Sequence, residues 1–414
     1  MLNNNKESER FFLLKMFNKL QYLPILFGMF LIIIIFGIIL GIKKYSRKDK
    51  IHAGITIKTE QQRNLARKFF PNEKKIDKAK YIEFTTGWKE FFLLQQAGLE
   101  PELILEVNKQ DLIDTQFHTL QQVDSIFLEH EKQYSSILNI EKIGESAFYR
   151  LPIKAIKISD FPLQNEDEPS ILFTAAHHAN EPLGVEIGLY IIDYLCKNYP
   201  NDQKVMHWVN NTEIWFVPLV NPDGYQLVMS NTSRIIWRKN LRDNNGDGTF
   251  TPEVDGVDLN RNYDYHWGID GDRFPNSSYY PGPFPFSEPE TQAICDLAIR
   301  EHFVYHLDFH SAGEVVLYPS SNPQEEKVIQ TVEQIARNIK KQTGNDHYSI
   351  APMNDNVGQC SLWMYHELGV LSFTVEAGDS YFPPAEQMKQ IIEQNAKAMF
   401  WILSVISESV GNSE

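Results

Sequence analysis

Residues 171–182 read ILFTAAHHANEP. The first six residues form the continuous apolar run of a buried strand, and Pro182 and Leu183 begin the helix that follows. A tight loop between the two elements can turn His178 and Glu181 toward one point. This stretch predicts a strand, loop and helix unit of an α/β protein, with polar side chains at the end of the strand.

Three further apolar runs end in a polar residue. They are IWFVPLV before Asn221, VYHLDF before His310 and VLSFTV before Glu376. Because ligands in open α/β sheets bind beyond the carboxyl ends of strands, we expect these residues to converge on one site with His178. Apolar strands alternate with helical stretches from residue 118 onward, which predicts an α/β fold with helices covering both faces of the sheet.

His178, Glu181 and His310 form a ligand set typical of a catalytic zinc site. The His-x-x-Glu pair is weak by itself, because this composition yields roughly one or two His-x-x-acidic pairs by chance. The second histidine strengthens the prediction, since two His and one carboxylate leave the fourth position of zinc open for water. Water bound there loses its proton near neutral pH. His177 and His306 are rival ligands, although each is more often a packed or solvent-facing histidine.

Glu376 ends a buried apolar strand. An ionised carboxylate in such a place is costly unless it has a partner. Glu376 could have such a partner if it is the base for zinc-bound water. The alternative interpretation is a glutamate at a strand end that faces solvent.

Seven short motifs resemble those of the zinc carboxypeptidases of the carboxypeptidase A type. In chain order they are HxxE at 178–181, NPDGY at 221–225, WRKN at 237–240, GVDLNRN at 256–262, DFHS at 308–311, LYP at 317–319 and SFTVE at 372–376. The resemblance covers residues 118–405, and the combination is specific although no single motif is. It implies a mixed central β-sheet flanked by helices on both faces, and an exopeptidase that acts on peptide or protein C-termini.

By this resemblance, His178, Glu181 and His310 hold one zinc ion per chain. Glu376 is the general base that activates water and then delivers its proton to the leaving amine. Arg238 of WRKN resembles the arginine that stabilises the oxyanion formed from the scissile carbonyl, a role suited to a preorganised cation.

Three residues of the GVDLNRN motif receive further roles from the resemblance. Asn260 and Arg261 look like the pair that grips the terminal carboxylate of the substrate, for which a planar guanidinium is suited. Asp258 looks like the carboxylate that orients the first zinc histidine and fixes its tautomer. Without the resemblance, these residues would be interpreted as a surface loop.

The chain also departs from the family pattern. The substrate-closing tyrosine of the family normally lies a few residues before the Gly and Trp that precede the catalytic Glu strand, and here Asn354 stands at that position. Tyr348 is nearby but out of register. Ser361 matches the base of the side-chain pocket and is neither clearly apolar nor acidic, so side-chain specificity stays open. Asn180 stands where many members carry Arg.

Residues 243–248 read DNNGDG, with Asp243, Asn245 and Asp247 at alternate positions as in an oxygen-rich calcium loop. The twelfth position is Val254 and not Glu, so the full pattern fails. A polar turn is the favoured interpretation, and Ca2+ binding is the alternative.

The charge distribution excludes one class of function. Residues 1–50 carry nine Lys and Arg against three Asp and Glu, whereas the remaining residues carry 30 against 51. An acidic body without a basic stripe argues against nucleic-acid binding, which depends on clustered Lys and Arg. The three cysteines are far apart and predict neither a disulfide framework nor a thiolate zinc site.

Residues 23–42 form twenty uncharged, mostly apolar positions. At about 1.5 Å per residue such a helix would cross a bilayer core of about 30 Å, which predicts a transmembrane helix. A cleaved signal peptide is the alternative, but the run is longer than the usual apolar region and lacks a small-residue cleavage site.

We therefore predict five segments. They are an N-terminal tail (1–22), a transmembrane helix (23–42), a basic juxtamembrane linker (43–50), a possible small α+β pre-domain (51–107) and a catalytic domain (118–405). The basic residues on the two sides of the apolar run weakly favour a cytoplasmic catalytic domain. Members of the family usually work outside the cytoplasm, and we predict an extracytoplasmic domain on that ground.

The leading hypothesis is a zinc carboxypeptidase anchored to a membrane. A hydrolase of the same fold that trims bacterial wall peptides is a second hypothesis. A membrane-tethered binding protein that has lost catalysis is a third, because the family tyrosine is missing.

Overall fold

The computed structural model describes residues 50–57, 60–70, 81–87, 94, 99, 101–103, 117–230, 236–269, 273–319, 326–354 and 357–410. They fall into two compact units, residues 1–106 and 107–414. The predicted transmembrane run, residues 23–42, lies outside the described residues. Within the described part of the chain no helix has the length and apolar character needed to span a membrane, so the membrane helix stays a prediction without structural support.

The N-terminal unit contains a small antiparallel sheet and a helix. Strand β1 (Lys50–Thr56) pairs on one side with β2 (Tyr81–Gly87) and on the other with β3 (Pro101–Leu103). Helix α1 (Glu60–Phe69) follows β1. The core of the N-terminal unit is a cluster of buried apolar side chains: Ile55, Ile57, Ala66, Leu94 and Leu99.

The second unit is built on an eight-stranded mixed sheet. The strands are β4 (Leu138–Glu145), β5 (Pro152–Ile158), β6 (Ser170–Ala175), β7 (Glu213–Val217), β8 (Tyr305–His310), β9 (Val315–Tyr318), β10 (Ser349–Pro352) and β11 (Leu371–Glu376). Their order in the sheet is β10-β9-β11-β8-β6-β7-β5-β4. The flanking helices are α2 (Leu120–Gln133), α3 (Leu183–Asn198), α4 (Gln203–Val209), α5 (Pro222–Ser230), α6 (Pro289–Glu301), α7 (Glu326–Thr343), α8 (Cys360–Leu368) and α9 (Ala385–Val410). The mixed α/β architecture agrees with the predicted fold class.

The centre of the sheet is parallel, with β7, β6, β8 and β11 running in one direction. Every residue of β6 and of β7 is buried, so both faces of the sheet are covered there. The carboxyl ends of β6, β8 and β11 therefore meet at one edge. Strand β7 ends at Val217, earlier than the predicted run to Val220, because Pro218 cannot donate a ladder hydrogen bond.

Candidate metal centre and substrate site

The loop after β6 is held in place by two neighbouring segments. The backbone amides of Val220 and Asn221 donate to the carbonyls of Ala175 and Ala176, each at 3.1 Å. The amide of Ala179 donates to the carbonyl of Arg238 at 3.0 Å. The loop then enters α3. Its backbone is therefore held by β6 at one end, by α3 at the other, and by hydrogen bonds with residues 220, 221 and 238.

This loop brings His178 and Glu181 against His310, the last residue of the adjacent strand β8. Nδ1 of His178 lies 2.9 Å from Oε1 of Glu181, and Nδ1 of His310 lies 2.8 Å from Oε2 of the same carboxylate. The two Nδ1 atoms are 3.0 Å apart. All three side chains are buried, and one ligand atom from each lies within 4.8 Å of the others.

Two carboxylates orient the far nitrogens of the histidines. Nε2 of His178 lies 3.1 Å from Oδ1 of Asp258, and Nε2 of His310 lies 2.9 Å from Oδ2 of Asp308. Each of these carboxylates can accept an N–H from the Nε2 atom that faces it, and a histidine protonated there offers its Nδ1 lone pair to a metal ion. This pairing fixes the tautomer of a metal-binding histidine.

The donor set fits a divalent cation. With both Nε2 atoms protonated, two Nδ1 lone pairs and one oxygen of the Glu181 carboxylate would supply three ligand atoms to a cation at this point. In the metal-free chain, burial disfavours the Glu181 carboxylate, but positive charge on His178 and His310 outweighs that effect and holds its pKa well below the usual range. A bound cation would replace that positive charge. Two imidazoles and one carboxylate are ligands that zinc prefers.

Glu376 lies beside the cluster at the end of β11. Its ladder partner on β8 is His310, and the amide of Ala377 donates to the carbonyl of His310 at 2.8 Å. Gly313 lies opposite, where an added Cβ would come within 3.2 Å of the Cβ of Glu376. Burial raises the pKa of Glu376 to about 7, with His310 and Arg238 opposing that rise and Glu181 adding to it.

The predicted arginines and asparagine also lie at this edge. Arg238 Nε donates to Oδ2 of Asp258 at 2.9 Å, and its Nη1 is 3.5 Å from Oε1 of Glu181. Arg261 Nη1 donates to the carbonyl of Asn260 at 2.6 Å. The amide oxygen of Asn260 accepts from Cys360 N, which turns its nitrogen to within 3.1 Å of His310 Nε2.

The rival histidines are packed in the core behind the cluster. Nε2 of His306 lies 2.7 Å from Thr174 Oγ1, and its Nδ1 lies 2.8 Å from Ser372 Oγ. Nε2 of His177 lies 2.9 Å from the hydroxyl of Tyr263, and its Nδ1 is 3.0 Å from Asp308 but out of line for a hydrogen bond. His177, Asp308 and Cys360 form a second group with metal-ligand spacing, yet burial raises the pKa of the Cys360 thiol well above its ordinary value.

Tyr348 and Ser361, two residues at the departures from the family pattern, lie in the core. Tyr348 is buried, and its hydroxyl bonds with the side chain of Asn395 and accepts from Gly378 N. Ser361 Oγ lies 2.9 Å from Thr374 Oγ1 in the core. Tyr348 is thus a core residue that holds the chain after β11.

The DNNGDG stretch forms a self-satisfied polar turn. Both carboxylate oxygens of Asp243 accept backbone N–H groups, from Gly246 and Gly248 at 2.7 Å each. Asn245 Nδ2 donates to Oδ2 of Asp247 at 2.8 Å. These contacts satisfy the loop by internal hydrogen bonds, as expected for a polar turn.

Sequence reasoning assigned no role to three residues of this edge. Asp308 faces His310, and its DFH context was visible in the sequence. The ring of Tyr279 lies over Arg238 and Arg261, with centroid distances of 5.3 and 5.7 Å to their Cζ atoms. Burial and the nearby Glu181 carboxylate raise the pKa of Tyr381. No motif marks either tyrosine.

A buried His, Glu and His cluster at the carboxyl edge of a mixed sheet, beside a carboxyl group and two arginines, defines the site of a metal-dependent hydrolase. Comparisons with known proteins agree. The zinc carboxypeptidase (M14 peptidase) family model matches residues 124–398. Carboxypeptidase A2 of Rattus norvegicus is 29% identical over 298 residues, which are 67% of this chain and 67% of that protein.

Two further relatives extend the comparison. A zinc carboxypeptidase of Saccharothrix mutabilis subsp. capreolus is 28% identical over 217 residues, covering 50% of this chain and 47% of that protein. The crystal structure of carboxypeptidase A from Helicoverpa armigera has the same fold, with a TM-score of 0.66, 20% identity, and coverage of 87% of this chain and 98% of that one. The chain belongs to the zinc carboxypeptidase family and is a zinc metallocarboxypeptidase. These comparisons favour neither the cell-wall hydrolase nor the non-catalytic binding protein.

Proposed function

We propose that this enzyme removes the C-terminal residue of peptides or proteins, with His178, Glu181 and His310 as the ligands of one zinc ion. The observation that carries the proposal is the convergence of their three ligand atoms, two of them oriented by Asp258 and Asp308. Bound zinc would supply a Lewis acid for the scissile carbonyl and lower the pKa of a water molecule.

Glu376 is proposed as the general base. It lies next to His310 across the β8–β11 ladder, so it can reach a water molecule held at the ligand cluster. Burial raises the pKa of Glu376 in the metal-free chain, and a carboxyl group with a raised pKa can take a proton and return it near neutral pH. The same group can therefore deprotonate water and then protonate the leaving amine.

Arg238 is proposed to stabilise the negative charge that develops on the carbonyl oxygen. Its Nε is tied to Asp258, which holds the guanidinium in place before substrate binds. A cation that is fixed beforehand needs no reorganisation when the charge develops. Asp258 thus positions both Arg238 and the first zinc histidine.

Arg261 and Asn260 are proposed to bind the terminal carboxylate of the substrate. A hydrogen bond to a charged group contributes about 1.5 to 3 kcal/mol, so Arg261→Ala should lower kcat/KM for a free-acid peptide by about 10- to 200-fold. The same peptide with a C-terminal amide should be a poor substrate of the parent and should lose much less. Arg300→Ala, which removes an exposed arginine that pairs with Glu141, is the matched control and should leave kcat/KM unchanged. Equal cleavage of acid and amide by the parent would instead indicate an endopeptidase.

We also propose that residues 23–42 anchor the enzyme in a membrane, with residues 43–50 as a basic linker and the catalytic domain outside the cytoplasm. The support is the uncharged apolar run itself. Residues 51–107 would form a separate pre-domain and residues 118–405 the catalytic domain. Carbonate extraction of cell membranes, followed by protease treatment of intact cells, tests the anchor and its orientation. Release by carbonate would contradict the anchor.

Ca2+ at residues 243–248 is a minor proposal, which calcium titration of the metal-free protein can test.

A further inference from the structure

Tyr279 faces both of the arginines that the proposed function assigns to substrate. Its ring centroid lies 5.3 Å from Cζ of Arg238 and 5.7 Å from Cζ of Arg261. Cations within about 6 Å of an aromatic centroid are attracted to the electron-rich face of the ring. One side chain therefore contacts the cation assigned to the scissile carbonyl and the cation assigned to the terminal carboxylate.

The two guanidinium groups are like charges, and the Asp258 carboxylate that pairs with Arg238 also attracts Arg261. Asp258 already accepts from Arg238 Nε, from His178 and from the backbone amide of Asn260. Burial lowers the pKa of Arg261, and the charge of Arg238 lowers it further against the opposing effect of Asp258. The ring of Tyr279 thus adds negative potential where two like charges lie close together.

The backbone places Tyr279 firmly at this edge. Its own amide donates to Oγ of Ser277 at 3.1 Å. The next residue, Tyr280, accepts the amide of Asp258 at 2.8 Å, which ties the stretch to the carboxylate that holds Arg238. Tyr279 is 44% exposed, so the residue stays accessible to a bound molecule.

We infer that Tyr279 is a positioning residue for the C-terminal residue of a peptide substrate. Its ring keeps Arg238 and Arg261 at the spacing of the scissile carbonyl and the terminal carboxylate. Its open part packs against the short backbone that joins these two groups. This inference rests on the proposed roles of the two arginines and adds the residue that couples them.

The test compares Tyr279→Phe, which keeps the ring face, with Tyr279→Leu, which keeps bulk without it. Two cation contacts at a partly exposed site predict that Leu lowers kcat/KM for a free-acid peptide by about 5- to 30-fold, whereas Phe stays within about 3-fold. We expect KM to rise, because Arg261 would bind the terminal carboxylate less well. We expect kcat to fall, because Arg238 would stabilise the charge on the carbonyl oxygen less well. Tyr149→Leu, at a tyrosine that is 54% exposed, is the control.

Binding of a free amino acid product to the metal-free protein supplies a readout that is independent of turnover. Calorimetry should give an affinity about 2- to 5-fold weaker for Tyr279→Leu than for the parent or Tyr279→Phe. Unchanged affinity and kcat/KM in the Leu variant would overturn the inference, as would an equal loss in the Phe variant. If Arg261→Ala behaves as proposed and Tyr279→Leu does not, the assignment of Tyr279 alone is wrong. If Arg261→Ala has no effect, the proposed carboxylate site fails and the role of Tyr279 fails with it.

Discussion

Glu376 differs from the proposed zinc ligands in what its loss should do. Its carboxyl group lies beside the ligand cluster and is not one of the three convergent ligand atoms. Glu376→Gln keeps the shape of the side chain but cannot accept a proton. We expect the variant to retain zinc and its fold, with turnover lowered by at least roughly 10²-fold, the low end for a positioned general base. Near-normal turnover at full zinc occupancy would mean that another group is the base.

The pH dependence of the parent enzyme follows from the same residue. The base must be ionised, and burial raises the pKa of Glu376 to about 7 in the metal-free chain. A bound dication would oppose that rise, so kcat/KM should fall as pH decreases through a midpoint no higher than about 7. A pH profile of kcat/KM measures this limb. A rate that increases with acidity over this range would contradict the assignment.

Sequence alone could identify residues whose chemistry is marked by a motif. His178 and Glu181 lie in one loop, and His310 and Glu376 end apolar strands, so each carries a local signal. Tyr279 has no such signal, because its proposed role rests on contacts with arginines 18 and 41 positions away. Such contacts depend on how loops cross the sheet edge, which no local pattern encodes.

At the scale of elements, the seating of α3 on the sheet controls the metal loop. Gly184 lies in the first turn of this helix, three residues after Glu181. A Cβ at this position would lie 2.7 Å from Cβ of Ala175 and 3.0 Å from the carbonyl oxygen of Phe309. The helix can therefore approach β6 and β8 only because this residue has no side chain.

Gly184→Ala should destabilise the protein although Ala is the better helix former. Overpacking costs about 1–3 kcal/mol, against a gain in helix propensity of about 1 kcal/mol. The shifted helix should also displace Glu181 and weaken zinc retention. Denaturant unfolding together with zinc affinity measures both effects. Lys197→Ala, at a 62% exposed side chain of the same helix, should change stability by less than about 0.5 kcal/mol. A more stable Gly184→Ala protein with normal zinc affinity would contradict this packing account.

The order of elements was more predictable than their ends. The alternation of apolar strands and helices predicted the α/β sheet, because a buried parallel strand has a continuous apolar sequence. The end of β7 was predicted three residues late, since Val217, Leu219 and Val220 are all apolar and hydropathy does not distinguish a strand from the buried segment that follows it.

At the scale of the whole molecule, a buried carboxyl group sets part of the pH dependence of stability. Glu290 accepts from the amide of Ala147 and lies near Asn240, whose amide also donates to Glu288. Burial and the neighbouring Glu288 raise the pKa of Glu290 to about 8. The folded state therefore keeps a proton that the unfolded state releases near pH 4.5.

The free energy of unfolding should consequently fall as pH rises from about 4.5 to about 8, by up to about 1.4 kcal/mol per pH unit from this group. Glu290→Gln stays neutral and should remove that contribution, so its stability relative to the parent should increase with pH over this window. Denaturant unfolding of both proteins at several pH values measures the difference. A constant difference across the range would show that Glu290 is ionised in the folded protein.

Every catalytic role proposed for this enzyme depends on one zinc ion held by His178, Glu181 and His310. The most direct test is elemental analysis of zinc in the purified full chain and in alanine variants of these three residues, equilibrated at the same free zinc concentration. His207→Ala, at an exposed histidine of α4, is the control. We predict one zinc per chain in the parent and in the control, and severe loss in each ligand variant, because two protein ligands rarely retain a catalytic zinc. Full zinc occupancy in all three variants would contradict the claim.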